Sequence, residues 1–69
     1  MHDYGPRFVV YSDGLYVGCF RRWFDAYSLF VELLESYKKS NFDIVTSAIG
    51  LSWASDNLRH SLELVIFED

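Results

Sequence analysis

The side chains able to do chemistry in this 69-residue chain are few and scattered. His60 is the only internal histidine, and no second histidine or cysteine stands at metal-ligand spacing from it. His2 and Asp3 are adjacent but terminal. Cys19 is the single cysteine, so neither an internal disulfide nor a cysteine metal cluster can form within one chain. The Arg21-Arg22 pair falls past the end of the segment that carries Cys19, and no base stands beside the thiol to activate it. Asp13-Gly14 lacks the alternating acids of a calcium loop, and Gly14 with Gly18 matches no phosphate-cradling loop. Catalysis needs a nucleophile, acid or base held in a concave site. This pattern predicts no catalytic residue, no metal site and no cofactor, with His60 as a half-buried structural imidazole and Cys19 as a small hydrophobe.

Binding is the remaining kind of work, and composition favours it. Hydrophobic residues make up 51% of the chain, with six Phe, five Tyr and two Trp. So small a body is mostly surface and cannot bury them all. Some must line an outer face, where large apolar patches mean contact with a partner. The net charge of −4 repels phosphate backbones and suits a basic or neutral partner.

The elements that position these residues follow from spacing. Residues 7–20 read as a β-hairpin about Asp13-Gly14, a pair suited to the positive φ angles of a type I′ turn. A regular two-residue hairpin puts Phe8, Val10, Leu15, Val17 and Cys19 on an inward face. Arg7, Val9, Tyr11, Tyr16, Gly18 and Phe20 then face out, with Tyr11 opposite Tyr16. Residues 24–39 read as a helix whose stripe is Trp23, Ala26, Tyr27, Phe30, Leu33, Leu34 and Tyr37. Asp25 near its start and Lys38-Lys39 at its end complement the helix dipole, and Ser40-Asn41 provides the exit. Leu29 misses the stripe on one flank, Phe24 and Val31 on the other.

Residues 42–67 read as a second hairpin turning at Asp56-Asn57, with strands 42–53 and 58–67. Val45, Ser47, Ile49, Leu51, Trp53, Leu58, His60, Leu62, Leu64 and Ile66 form its helix-facing side. The expected fold is therefore α+β, ββαββ: a four-stranded antiparallel sheet with one helix packed on one face. It is a single domain spanning 1–69, with 1–6 a loose lead-in. Phe8, Val10, Val17, Phe30, Leu34, Ile49, Leu62 and Leu64 are its expected core.

On this frame the first-choice binding anchors are Tyr11, Tyr16 and Phe20, sharing the outward face of the first hairpin. Phe24 and Val31 come second, standing outside the helix stripe. Arg7, Arg59 and Glu63 supply a polar rim, since interfaces combine aromatic anchors with charged handles. The alternative is single-stranded nucleic acid stacking on Tyr11, Tyr16 and Phe20. Glu63, Glu68, Asp69 and Asp43 border that region and oppose it, so direct nucleic-acid binding is disfavoured. Mimicry of DNA by the acids is also disfavoured, because the acids are interleaved with bases over every element. Surplus aromatic surface further predicts a homodimer.

The succession of short hairpin, single amphipathic helix, second hairpin and acidic balance resembles small bacteriophage and mobile-element accessory proteins. That group includes anti-CRISPR-type inhibitors of bacterial defence. The resemblance lies in layout, covers the whole chain and carries over no functional residue. It implies a stoichiometric inhibitor that occludes or locks a host protein or nucleoprotein complex, basic enough to attract an acidic ligand. No apolar run approaches the ~20 residues of a membrane span. The start of the chain lacks the basic and apolar segments of a signal peptide. With one cysteine, the expected location is the cytoplasm, that of the host cell if the chain is phage-encoded.

Overall fold

A computed structural model describes residues 5–37, 44–55 and 59–68. Two strands, β1 (Arg7–Ser12) and β2 (Leu15–Phe20), lead into the helix α1 (Trp23–Tyr37). Three more follow: β3 (Val45–Ser47), β4 (Gly50–Ala54) and β5 (Ser61–Phe67). All pairings are antiparallel, in the order β2-β1-β5-β4-β3, so the first and last strands meet at the centre of the sheet. The α+β class and the single helix on one face follow the spacing. The sheet has five strands rather than four.

The extra strand comes from a break inside the expected strand 42–53. The chain turns at Ala48-Ile49, and Ser47 pairs with Gly50. Gly50 makes this corner possible. Its φ is 140°, and a Cβ there would overlap the carbonyl oxygen of Leu64 on β5. Only glycine lets the two backbones approach so closely at such an angle. The reversal overturns three expectations: Ile49 lies at the turn and is exposed, and Val45, opposite Ser52, and Ser47, opposite Gly50, point away from the helix.

The β4–β5 pairing differs in register from the two-residue turn expected there. Trp53 opposes Leu62 and Leu51 opposes Leu64, while Ser55 pairs its N–H with the His60 carbonyl at 2.9 Å. Ser55 is thus closed by His60, not Leu58. Asp56-Asn57 and Leu58 lie outside the described residues, as do Met1 to Tyr4, the expected helix end and exit at 38–41 and the expected strand start at 42–43. The pairing is displaced by an even number of residues, so Leu51, Trp53, Leu62 and Leu64 keep their helix-facing side.

The first hairpin turns as expected. Asp13 (φ 55°) and Gly14 (φ 83°) both hold the positive angles of a type I′ turn, and Tyr11 faces Tyr16. The ladder then slips by one residue. Val10 opposes Gly18, Val9 opposes Cys19 and Phe8 opposes Phe20, leaving Val17 as a bulge. An odd shift exchanges the faces. Cys19, expected inward, lies outward and exposed, and Val17 and Leu15 are exposed too. Gly18 and Phe20, expected outward, turn to the helix, where Phe20 packs on the core. The gain is apolar burial: a phenylalanine replaces a cysteine against the helix.

The core is Val10, Ala26, Phe30, Leu34, Trp53, Leu62 and Leu64, with Phe8, Phe20, Leu29, Leu33, Tyr37 and Leu51 packed around it. Val10, Phe30, Leu34, Leu62 and Leu64 are buried as their spacing predicts, and Phe8 is half-buried. A Cβ on Gly18 would lie 3.2 Å from the Phe20 ring and 3.7 Å from Leu29. The missing side chain leaves room for both, so the helix settles toward β2 on its Leu29 flank. Its contacts run to β1, β5 and β2. The opposite flank is lifted into solvent.

Candidate functional site

That lifted flank carries Phe24, Tyr27 and Val31, spaced by one and two helical turns along α1. Phe24 is 71% exposed, an unusual state for a phenylalanine in mid-surface. With Ser28, Glu32 and Glu35 these residues line a shallow groove of about 430 Å³. Trp23 braces it, stacking on Tyr27 at 5.9 Å and meeting Phe8 edge-on at 5.7 Å. The groove is therefore apolar along its floor, acidic along its rim and held by rings anchored to the sheet. Preorganised aromatics of this kind lose little freedom when a partner docks. Tyr27, Ser28, Glu32 and Glu35 escaped the sequence reading, which placed Tyr27 in the core stripe. One signal was available: a tyrosine hydroxyl favours the wet margin, whereas Leu29 has no polar atom and favours full burial.

The uncovered sheet face holds the other expected anchors. Tyr11 and Tyr16 oppose each other edge-on, with ring centroids 6.5 Å apart. Phe20 is on the far side of the sheet, so the expected trio is divided. Arg7 pairs with Phe67, Val9 with Val65 and Tyr11 with Glu63, which puts Arg7 and Glu63 at opposite ends of one face. Arg59 is exposed in the β4–β5 connection, adjacent to His60. Val31 is half-buried beside the exposed Phe24.

A third cluster joins the ends of three elements. Asp13 donates its N–H to the Ser61 carbonyl at 2.8 Å and accepts the Ser61 N–H on Oδ1 at 2.9 Å. Its Oδ2 lies 3.5 Å from His60 Nδ1. His60 stacks on Tyr37 at 4.5 Å, and Tyr37 stacks on Trp53 at 5.6 Å. A hydroxyl pair, Ser12 Oγ and Tyr37 Oη at 3.4 Å, completes it. Serine, histidine and aspartate thus lie close together, yet the serine is engaged by tyrosine. A nucleophile would need the imidazole at its oxygen. The cluster clasps the first hairpin turn and the start of β5 to the end of the helix. Among the described residues no group of three His, Cys, Asp or Glu side chains could hold a metal ion. No described helix is long and apolar enough to cross a membrane.

No family model, curated protein or solved structure matches this chain.

Proposed function

We propose that this chain is a small non-catalytic protein-binding module that docks a basic, amphipathic segment of another protein along the Phe24–Tyr27–Val31 flank of α1. The exposed Phe24 ring over an acid-rimmed groove carries the reading. Phe24 supplies the central anchor, Tyr27 and Val31 the neighbouring apolar contacts, and Glu32 and Glu35 pair with lysine or arginine at the edge. The net charge of −4 speeds encounter with such a target. The layout resemblance adds a setting: a stoichiometric inhibitor occupying a basic surface of a host protein or nucleoprotein complex in the cytoplasm. Stacking of single-stranded nucleic acid has less support, because Phe20 is absent from the open face and Glu63 stands beside Tyr11.

The test uses a synthetic helix of about 14 residues carrying leucine on one face and lysine on the other, the pattern of helix-in-groove ligands. Titrated into labelled protein, it should perturb amide shifts over residues 24–35. Phe24→Ala should weaken it about tenfold, as expected for a hot-spot anchor. Shifts clustered elsewhere, or an unchanged affinity for a folded Phe24→Ala protein, would refute the groove. A glutamate-for-lysine version of the peptide should not bind.

A further inference from the structure

The open face of the sheet has a pattern that the helix flank does not explain. In an antiparallel sheet with one face in water, the outward positions of central strands are normally polar. Here the outward row across β2, β1, β5 and β4 is Cys19, Val9, Val65 and Gly50, without one charged side chain. Val9 is only 8% exposed, although among the described residues no element lies over it. Phe67 and the Tyr11–Tyr16 pair extend the apolar surface along the strands in both directions.

Charge on this face is arranged about the same row. Val9–Val65 is the middle pair of the β1–β5 ladder. Arg7, beside Phe67, lies two residues to one side of it, and Glu63, beside Tyr11, lies two residues to the other. A two-fold axis running across the strands over Val9–Val65 therefore brings the Arg7 end of one copy over the Glu63 end of the next. Apolar row meets apolar row, Arg7 arrives over Tyr11 beside Glu63, Phe67 arrives over Glu63 beside Tyr11, and both ion pairs form at once. A surface complementary to itself under a two-fold rotation is what an isologous dimer requires. Among the described residues neither Arg7 nor Glu63 has an ion pair within the chain.

We propose that two copies of this chain associate back to back through this face, with Val9 and Val65 at the centre and Arg7–Glu63 pairs, flanked by Phe67, at both ends. The contact is independent of the helix flank, which lies on the other side of the sheet and remains open in both copies. Its area is set by four short strands, placing it at the small, weak end of specific interfaces.

Sedimentation equilibrium from about 10 to 500 µM at low salt, the range that a small interface calls for, should show a monomer–dimer equilibrium weakened by added salt. Arg7→Glu or Glu63→Arg alone should raise the dissociation constant at least about tenfold, and the double charge swap should return it to within about threefold. Both positions reach solvent, and circular dichroism checks that each variant keeps its fold. A protein that stays monomeric throughout, or a charge swap that does not recover dimerisation, overturns the proposal. So does a dimer indifferent to Glu63→Arg, as pairing edge to edge through β2 would be.

Discussion

The two hairpins meet along β1 and β5 yet accommodate their turns in opposite ways. β1–β2 reverses in two residues, Asp13 and Gly14, and then takes up an extra residue at Val17 within the ladder. β4–β5 places four residues between Ser55 and His60 and pairs without a slip from Ala54–Ser61 to Gly50–Val65. One keeps its irregularity in the strand, the other in the loop. Only the first choice alters which side chains meet the helix, because side chains alternate with a period of two. A bulge is thus a means of selecting a core residue, and a long loop is not.

The largest test of this contrast is Phe30→Ala. Phe30 is fully buried in the cluster that contains Val10 of one hairpin and Leu62, Leu64 and Trp53 of the other. Its loss should cost about 3–5 kcal/mol in urea unfolding, enough to depopulate the native state of so small a domain. A cost below about 1 kcal/mol would mean that the hairpins hold each other without the helix.

Gly50→Ala comes next and strikes only the second hairpin. A methyl group colliding with the Leu64 carbonyl at an angle that side chains avoid should cost about 3 kcal/mol. Amide shifts should move most in β3, β4 and β5. A near-native stability would show that the corner can open freely.

Phe20 and Cys19 then sharpen the first hairpin. Phe20→Ala removes a half-buried ring and should cost about 2 kcal/mol, less than a fully buried phenylalanine. Cys19→Ala, on the exposed side, should stay within about 0.5 kcal/mol. The opposite ranking would mean a regular ladder with no bulge. Asp13→Ala falls between these two. It deletes the acceptor for the Ser61 N–H that joins one hairpin to the other, worth about 1 kcal/mol. Asp13→Asn, which keeps an acceptor and tolerates positive φ, should recover most of that.

The alternation of side chains also decides how much of this structure was legible in the sequence. The helix, both hairpins and the burial of Val10, Phe30, Leu34, Leu62 and Leu64 follow from period and turn chemistry, which are local properties. The β4–β5 loop is longer than expected, yet an even displacement leaves Leu51, Trp53, Leu62 and Leu64 on the expected face. At Val17 the displacement is odd, and Cys19 and Phe20 change places. No local signal marks that slip. Its cause is tertiary: the space over Gly18 shared by Phe20 and Leu29. The Ala48-Ile49 reversal escaped for a related reason, since Gly50 registers as a corner only against the Leu64 backbone. Of the candidate site, Phe24 and Val31 were visible because they break the helix stripe. Tyr27, Glu32 and Glu35 depended on how far the helix settles toward β2, which spacing does not encode.

The bulge also has a consequence outside the monomer, at the rim of the sheet. Asp13 directs its N–H to Ser61 on β5. By the alternation of antiparallel ladders, Tyr11 and Val9 likewise direct theirs to β5. Opposite them, Tyr16 and Cys19 turn their backbone groups outward to water. Val17 separates these two sites by three residues instead of two. An arriving strand presents its own groups at every second residue, so it can satisfy one site and must miss the next. The six-residue edge LYVGCF, uncharged and rich in β-formers, is thereby a poor template for amyloid growth despite its composition. Deleting Val17 should restore the even spacing, and seeded thioflavin T fluorescence should then rise where the parent chain stays flat. A deletion variant as inert as the parent would mean that something other than spacing protects this edge.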